Sequence, residues 1–302
     1  MKSMNFIFES LFAKFLSEKT RTKSEKIIVF IAVLSFVIHL ILIAFVSLNW
    51  ISPNDFSGLL KNPMVAIYTP FSFILLYEAY LLVYYLPKSI TKYIGKQYEI
   101  ITLIIIRRIF KDLYKLEFTT DWFNNEYDVI FVYDVITVII LFYLIYLFYK
   151  IIEFRPKTTV ISLEVDSFIK LKKIIATILV PIFLVLAIYN FSHWIYENFY
   201  SLNQTAVSIK DTNKIFFEEF FTILILIDVL LLLLSFLHTD KFNQVIRNSG
   251  FIISTILIKL SFTIDGILNS ILTIAAVSLG VLVLYINNKY EKLDNNTKIQ
   301  SK

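Results

Sequence analysis

Apolar runs of about the length of a bilayer crossing recur along the chain, separated by shorter polar segments. A transmembrane helix needs about 20 consecutive, mainly apolar residues. Runs of that length cover residues 27–48, 64–86, 129–149, 174–195, 215–237 and 267–286. The pattern predicts an all-α fold, a polytopic transmembrane helical bundle with about six full spans.

Three further segments have helical periodicity without a clean span. In segment 1–26, apolar residues recur at helical spacing among basic ones, which predicts an amphipathic helix at the membrane surface. Segments 97–116 and 251–262 each combine apolar stretches with basic residues, and we expect both to be interfacial or partly buried helices. The predicted divisions are a cytoplasmic N-terminal segment 1–26, a transmembrane domain 27–287 and a polar cytoplasmic tail 288–302.

Composition and charge agree with a membrane protein. The chain is 57% hydrophobic and only 18% charged, whereas soluble domains are about 25% charged. Its net charge of +5 comes from Lys and Arg clustered between the apolar runs. We interpret this excess as positive-inside topology and attraction to anionic lipids at the cytoplasmic face, and not as nucleic-acid binding. Both termini are then cytoplasmic.

The span count has an alternative. Six spans leave the basic segment 150–173 outside the cell, against the charge rule, whereas eight spans, with 97–116 and 251–262 also crossing, place it inside. Eight spans, however, bring Arg107, Arg108 and Lys259 to membrane depth, at about 2.5–3.5 kcal/mol for each charge at a helix centre. We favour six because the amphipathic half of 97–116 suits a surface position.

Three carboxylates lie within predicted spans. Asp228 is the most isolated, near the middle of a run of aliphatic residues, and Glu78 stands among tyrosines whose hydroxyls can hydrogen-bond to it. Asp134 is closer to the end of its span, a position from which a carboxylate can reach the interface. An ionised group at such depth is a candidate for a proton or cation path, and otherwise a structural acid bonded to a neighbouring helix or a counter-ion for a buried cation.

Basic residues form two further candidate features. Lys259 and Asp265 flank a break in the last hydrophobic region, which predicts either a tight hairpin, the reading we prefer, or a re-entrant element that lines a pore. The cluster Arg107, Arg108, Lys111 and Lys115 predicts a surface for anionic lipid or a partner. A voltage-sensing array is the less suitable alternative because Asp112 interrupts irregularly spaced cations.

The chain offers little for catalysis. It has no cysteine, its three histidines lack metal-ligand spacing, and no hydrolase or protease motif is present. We therefore expect neither an enzyme nor a cofactor or metal, and no motif defines a family. The abundance of Ile, Lys, Asn, Phe and Tyr suggests an AT-rich bacterial genome.

Two functions remain open. The first is an ion-conducting or transport protein of the bacterial inner membrane, expected to form a homo-oligomer, with Asp228 and Glu78 on a polar path. The second is a non-catalytic membrane scaffold or sensor, or a membrane-disrupting effector of a stress or defence system, acting through its basic cytoplasmic surface.

Overall fold

The computed structural model describes residues 2–50, 63–113, 126–154, 163–199, 212–236, 242–264 and 266–300. The elements in these ranges are all helical, which confirms the all-α prediction. In chain order the α-helices are α1 (Lys2–Phe15), α2 (Glu18–Ser47), α3 (Tyr68–Tyr85), α4 (Ile90–Asp112), α5 (Glu126–Glu153), α6 (Leu163–Phe199), α7 (Thr212–Phe236), α8 (Phe242–Phe262) and α9 (Ile267–Gln300). A 3-10 turn, Pro63–Ile67, leads into α3.

Within the described residues, six helices are long and apolar enough to cross a membrane, so the chain is a multi-pass membrane protein. The candidate spans are Glu18–Ser47, Asp128–Glu153, Ser167–Tyr189, Glu219–Phe236, Phe242–Phe262 and Ile267–Leu293. Five coincide with predicted spans. The sixth is α8, which the sequence pattern assigned to a partly buried helix. Helix α3, which lies within the predicted span 64–86, is not among the six.

The helices divide into two compact units. Unit 1 comprises residues 1–84, 107–118 and 173–220, and unit 2 comprises 85–106, 119–172 and 221–302. Helices α4, α6 and α7 therefore each supply residues to both units.

In unit 1, the junction between α1 and α2 is capped and tied to α3. The Ser17 side chain accepts a hydrogen bond from the backbone N–H of Thr20 at 3.2 Å, the usual way to satisfy a free donor at a helix start. The Tyr80 hydroxyl donates to the carbonyl of Phe15 at 2.9 Å, and the Tyr84 hydroxyl donates to Glu18 at 3.0 Å. The hydroxyl groups of these two α3 tyrosines therefore bind α3 to the N-terminal helices.

In unit 2, α9 packs against α8 and α5. The connection from α8 to α9 is a tight turn in which Gly266 has a φ of +75°, a conformation that glycine adopts without steric cost. Asn269 then donates to the carbonyl of Ser261 at 2.6 Å, and Thr273 donates to the Ser261 hydroxyl at 2.8 Å. These buried hydrogen bonds close the hairpin that the sequence break predicted.

Helix α4 begins earlier than the predicted segment 97–116. Pro87 follows the end of α3, and the Ser89 side chain accepts from the backbone N–H of Lys92 at 3.3 Å, so that α4 starts at Ile90. Its unit 2 portion contains several fully buried large side chains: Tyr93, Ile94, Tyr98, Ile100, Ile101 and Ile105. This half of the helix is therefore a packed core element and does not lie open on a membrane surface.

Candidate functional site

The candidate site in unit 2 is centred on Asp228. Asp228 lies in the span Glu219–Phe236 and is only 4% exposed. The side-chain amide of Gln97, on α4, donates to Asp228 Oδ2 at 3.1 Å. Because a buried carboxylate without partners is costly, this bond accounts for part of its stabilisation.

Tyr93 and Lys172 complete this group, which we call the Asp228 cluster: Tyr93, Gln97, Lys172 and Asp228. Tyr93 lies one turn before Gln97 on α4, is 2% exposed, and interacts electrostatically with the carboxylate. Lys172, near the start of its span in α6, is 6% exposed and attracts the same carboxylate. Its ammonium donates to the backbone carbonyl of Lys88 at 3.2 Å. Three helices thus bring an acid, an amine, an amide and a phenol together.

The Asp228 cluster keeps unused hydrogen-bonding capacity. Within the described residues, the Gln97 Oε1 atom is buried without a hydrogen-bond partner. Buried polar atoms are nearly always satisfied by protein or by ordered water. The cluster therefore suits a small polar species, such as water or a cation, that can bond to this amide oxygen.

In unit 1, Glu78 forms an ion pair with Arg107. The two side chains are 4% and 5% exposed, and Arg107 Nη2 donates to Glu78 Oε2. The assignment of Arg107 to an open lipid or partner surface is therefore wrong. The amphipathic pattern of this segment does not predict which side of the helix is buried, because Phe110 is 38% exposed while Arg107 is buried.

The neighbouring tyrosines do not serve Glu78 as the sequence suggested. The Tyr77 hydroxyl donates to Glu25 at 3.1 Å, and those of Tyr80 and Tyr84 bond to the α1 and α2 region. The sequence suggested a role as counter-ion for a buried cation, and Glu78 has this role toward Arg107.

The remaining candidates do not join the Asp228 cluster. Asp134, on α5, is 2% exposed and so is buried within the protein. Lys259, on α8, donates to the Thr222 hydroxyl at 2.6 Å. Arg108 is half-buried. Asp265 and Lys115, and the side chain of Lys111, lie outside the described residues.

Sequence reasoning missed three members of the cluster. Lys172 was counted with the charges of a cytoplasmic segment, although it lies in helix α6. Tyr93 and Gln97 are four positions apart on α4, a spacing that places their side chains on one face of the helix. Their partner on α7 could not be read from that spacing.

Comparisons with protein-family models, with curated proteins and with solved structures find no match for this chain. Function is therefore inferred from the geometry of the site and not from likeness of fold.

Proposed function

We propose that this chain is a non-enzymatic ion-conducting or transport protein of a bacterial inner membrane, with Asp228 as the central group of a path for protons or small cations. The observation that carries the proposal is the Asp228 cluster itself. It places a carboxylate inside an apolar spanning helix, near an amine, a phenol and an amide whose oxygen has no hydrogen-bond partner within the described residues. Ionisable groups at such positions mark ion pathways and proton relays in membrane proteins.

The contrast between the two buried acids supports this choice. Glu78 is held in a direct ion pair with Arg107, an arrangement that neutralises a buried charge and suits a structural role. Asp228 instead accepts a hydrogen bond from the neutral amide of Gln97, while the Lys172 ammonium donates to a backbone carbonyl. A carboxylate whose lone pairs are not committed to an ion pair can accept a proton or ligate a cation during transport.

The proposal includes topology and assembly. Lys and Arg concentrate in the terminal segments, which supports cytoplasmic N- and C-termini by the positive-inside rule. The apolar side chains of α2 are largely exposed, for example Phe30 at 68% and Val33 at 58%. Such a surface fits contact with lipid or with a second copy in a homo-oligomer.

The test is ion flux through purified protein in liposomes. We expect the wild type to carry protons, sodium or potassium down an imposed gradient, and Asp228→Asn to lower that flux at least about tenfold, since a tenfold change needs only about 1.4 kcal/mol at the barrier. Asparagine keeps the size of the side chain and an acceptor for Gln97 but cannot exchange a proton. A pH-sensitive dye and ion-selective electrodes measure the flux.

The matched control is Glu219→Gln, the same chemical change at an exposed position of the same helix. It should conduct like the wild type, and both variants should elute as the wild type does in size-exclusion chromatography. Equal flux in wild type and Asp228→Asn would contradict the role of Asp228. If the wild type carries none of the three ions under either sign of membrane potential, conduction is not its intrinsic activity.

A further inference from the structure

A cavity of about 210 Å³ lies in unit 2 between the end of α5 and residues 285–292 of α9. Its lining residues are Ile151, Phe154, Tyr285, Asn288, Lys289 and Lys292. It shares no residue with the Asp228 cluster, so a ligand can bind in this cavity whether or not the protein conducts ions. Its composition is two lysines, one amide and an apolar wall.

The two helices build this cavity by regular spacing. One face of α9 supplies four of the lining residues, spaced three or four positions apart or adjacent to each other: Tyr285, Asn288, Lys289 and Lys292. The side-chain amide of Asn288 donates to the carbonyl of Ile151 at 2.8 Å, which satisfies a carbonyl in the last turn of α5. This bond joins the last turn of α5 to α9 beside the cavity.

The lining offers separate groups for each part of a phospholipid headgroup. Lys289 and Lys292 provide two ammonium groups for a phosphate, and the Lys289 ammonium lies 5.5 Å from the centre of the Tyr285 ring. Asn288 is 7% exposed, and its Oδ1 atom has no hydrogen-bond partner within the described residues. That oxygen can accept a hydrogen bond from a headgroup hydroxyl.

The nearby acids leave the cavity positive. Glu291 is not among the lining residues. Asn287 donates to the Glu291 carboxylate at 3.1 Å, and Arg247 lies 3.8 Å from that carboxylate. Glu153 is exposed and is not a lining residue. The charge of the cavity therefore comes from its two lysines.

The cavity also lies at the right depth for lipid. It is at the ends of the candidate spans Asp128–Glu153 and Ile267–Leu293. Lysines beside aromatic rings at the end of a span are typical of the headgroup region. Exposed apolar side chains continue from it, with Phe154 at 67% and Tyr285 at 49%. We propose that this cavity binds the phosphate headgroup of an anionic phospholipid, whose acyl chains lie along α5 and α9.

The experiment measures lipid retained by the full-length protein in native mass spectrometry, with phosphatidylglycerol or phosphatidylcholine added to the detergent solution. We expect the wild type to retain phosphatidylglycerol preferentially. The double variant Lys289→Gln/Lys292→Gln should weaken that binding about 30-fold, the combined effect of two lysines near a lipid phosphate. Lys289→Arg/Lys292→Arg, which keeps both charges, should retain it.

The matched control is Lys19→Gln/Lys23→Gln, which removes the same charge from two exposed lysines on α2. It should bind as the wild type does. Equal loss of lipid binding in Lys19→Gln/Lys23→Gln and Lys289→Gln/Lys292→Gln would show general electrostatic attraction and would overturn the proposed site. Unchanged binding in Lys289→Gln/Lys292→Gln would also overturn it. If added inorganic phosphate displaces all of the bound phospholipid, the cavity is a site for free phosphate, and the proposal of a lipid headgroup site is wrong.

Discussion

Replacing Arg107 with leucine while Glu78 remains is expected to lower the free energy of unfolding by about 3–5 kcal/mol, the usual cost of breaking a buried ion pair from one side. Both side chains are buried, and the guanidinium donates directly to the carboxylate. The substitution leaves a buried carboxylate without this cation, whereas an exposed pair would lose about 1 kcal/mol or less. Equilibrium unfolding in mixed micelles of a mild detergent and dodecyl sulfate measures the loss.

A double-mutant cycle tests the cause. Glu78→Leu/Arg107→Leu removes both charges, and we expect it to be more stable than the sum of the two single losses predicts. Arg108→Leu is the control, because Arg108 is the adjacent arginine on α4 and is only half-buried. Additive losses in the cycle would show that the two side chains do not stabilise each other. If the pair is structural, the double variant should also retain flux that depends on Asp228.

Substituting Gly280 with alanine is the second change with a large expected effect. A Cβ atom at this position would lie 1.7 Å from the Tyr98 hydroxyl oxygen and 2.8 Å from Tyr98 Cζ. Tyr98 is fully buried, its hydroxyl bonds to Ser254 at 2.8 Å, and its ring meets Phe148 edge-on at 5.3 Å. The ring cannot move without disturbing these contacts, so we expect a loss of about 3 kcal/mol, at the upper end for overpacked cores.

The same unfolding measurement applies to Gly280→Ala. The matched control is Ala275→Val, which enlarges an exposed position on the same helix and should change stability by less than about 0.5 kcal/mol. Tyr98→Leu removes the clashing hydroxyl and shortens the side chain, so its loss and that of Gly280→Ala should be less than additive. A stable Gly280→Ala variant would mean that α9 does not approach Tyr98 so closely.

In the α8–α9 region the local sequence predicted the turn correctly but not the membrane span. The break after Phe262, with a glycine four residues on, indicated a hairpin, and the structure forms one. The span assignment was harder. The segment 251–262, which contains Lys259, was expected to be an interfacial or partly buried helix, but α8 extends back to Phe242 and enters the set of six candidate spans. The added turns contain polar residues such as Asn243 and Asn248, which a search for apolar runs leaves out.

The sequence identified the two important acids and failed to identify their partners. Asp228 and Glu78 were recognisable because each is a lone carboxylate in an apolar run, and both are buried. Gln97 is 131 positions from Asp228, and Arg107 is 29 from Glu78. Arg107 was moreover assigned to the outer face, since its neighbours formed an amphipathic pattern.

The sequence by itself determined that this chain is an all-α, multi-pass membrane protein, because the length and hydropathy of an apolar run are local properties and backbone hydrogen bonds within lipid require helices. Only the tertiary structure decided that Asp228 meets Gln97 and Lys172, that Glu78 meets Arg107, and that Tyr98 fills the space beside Gly280. These contacts depend on how each helix is rotated about its axis, and that rotation is set by side-chain packing between segments far apart in the chain.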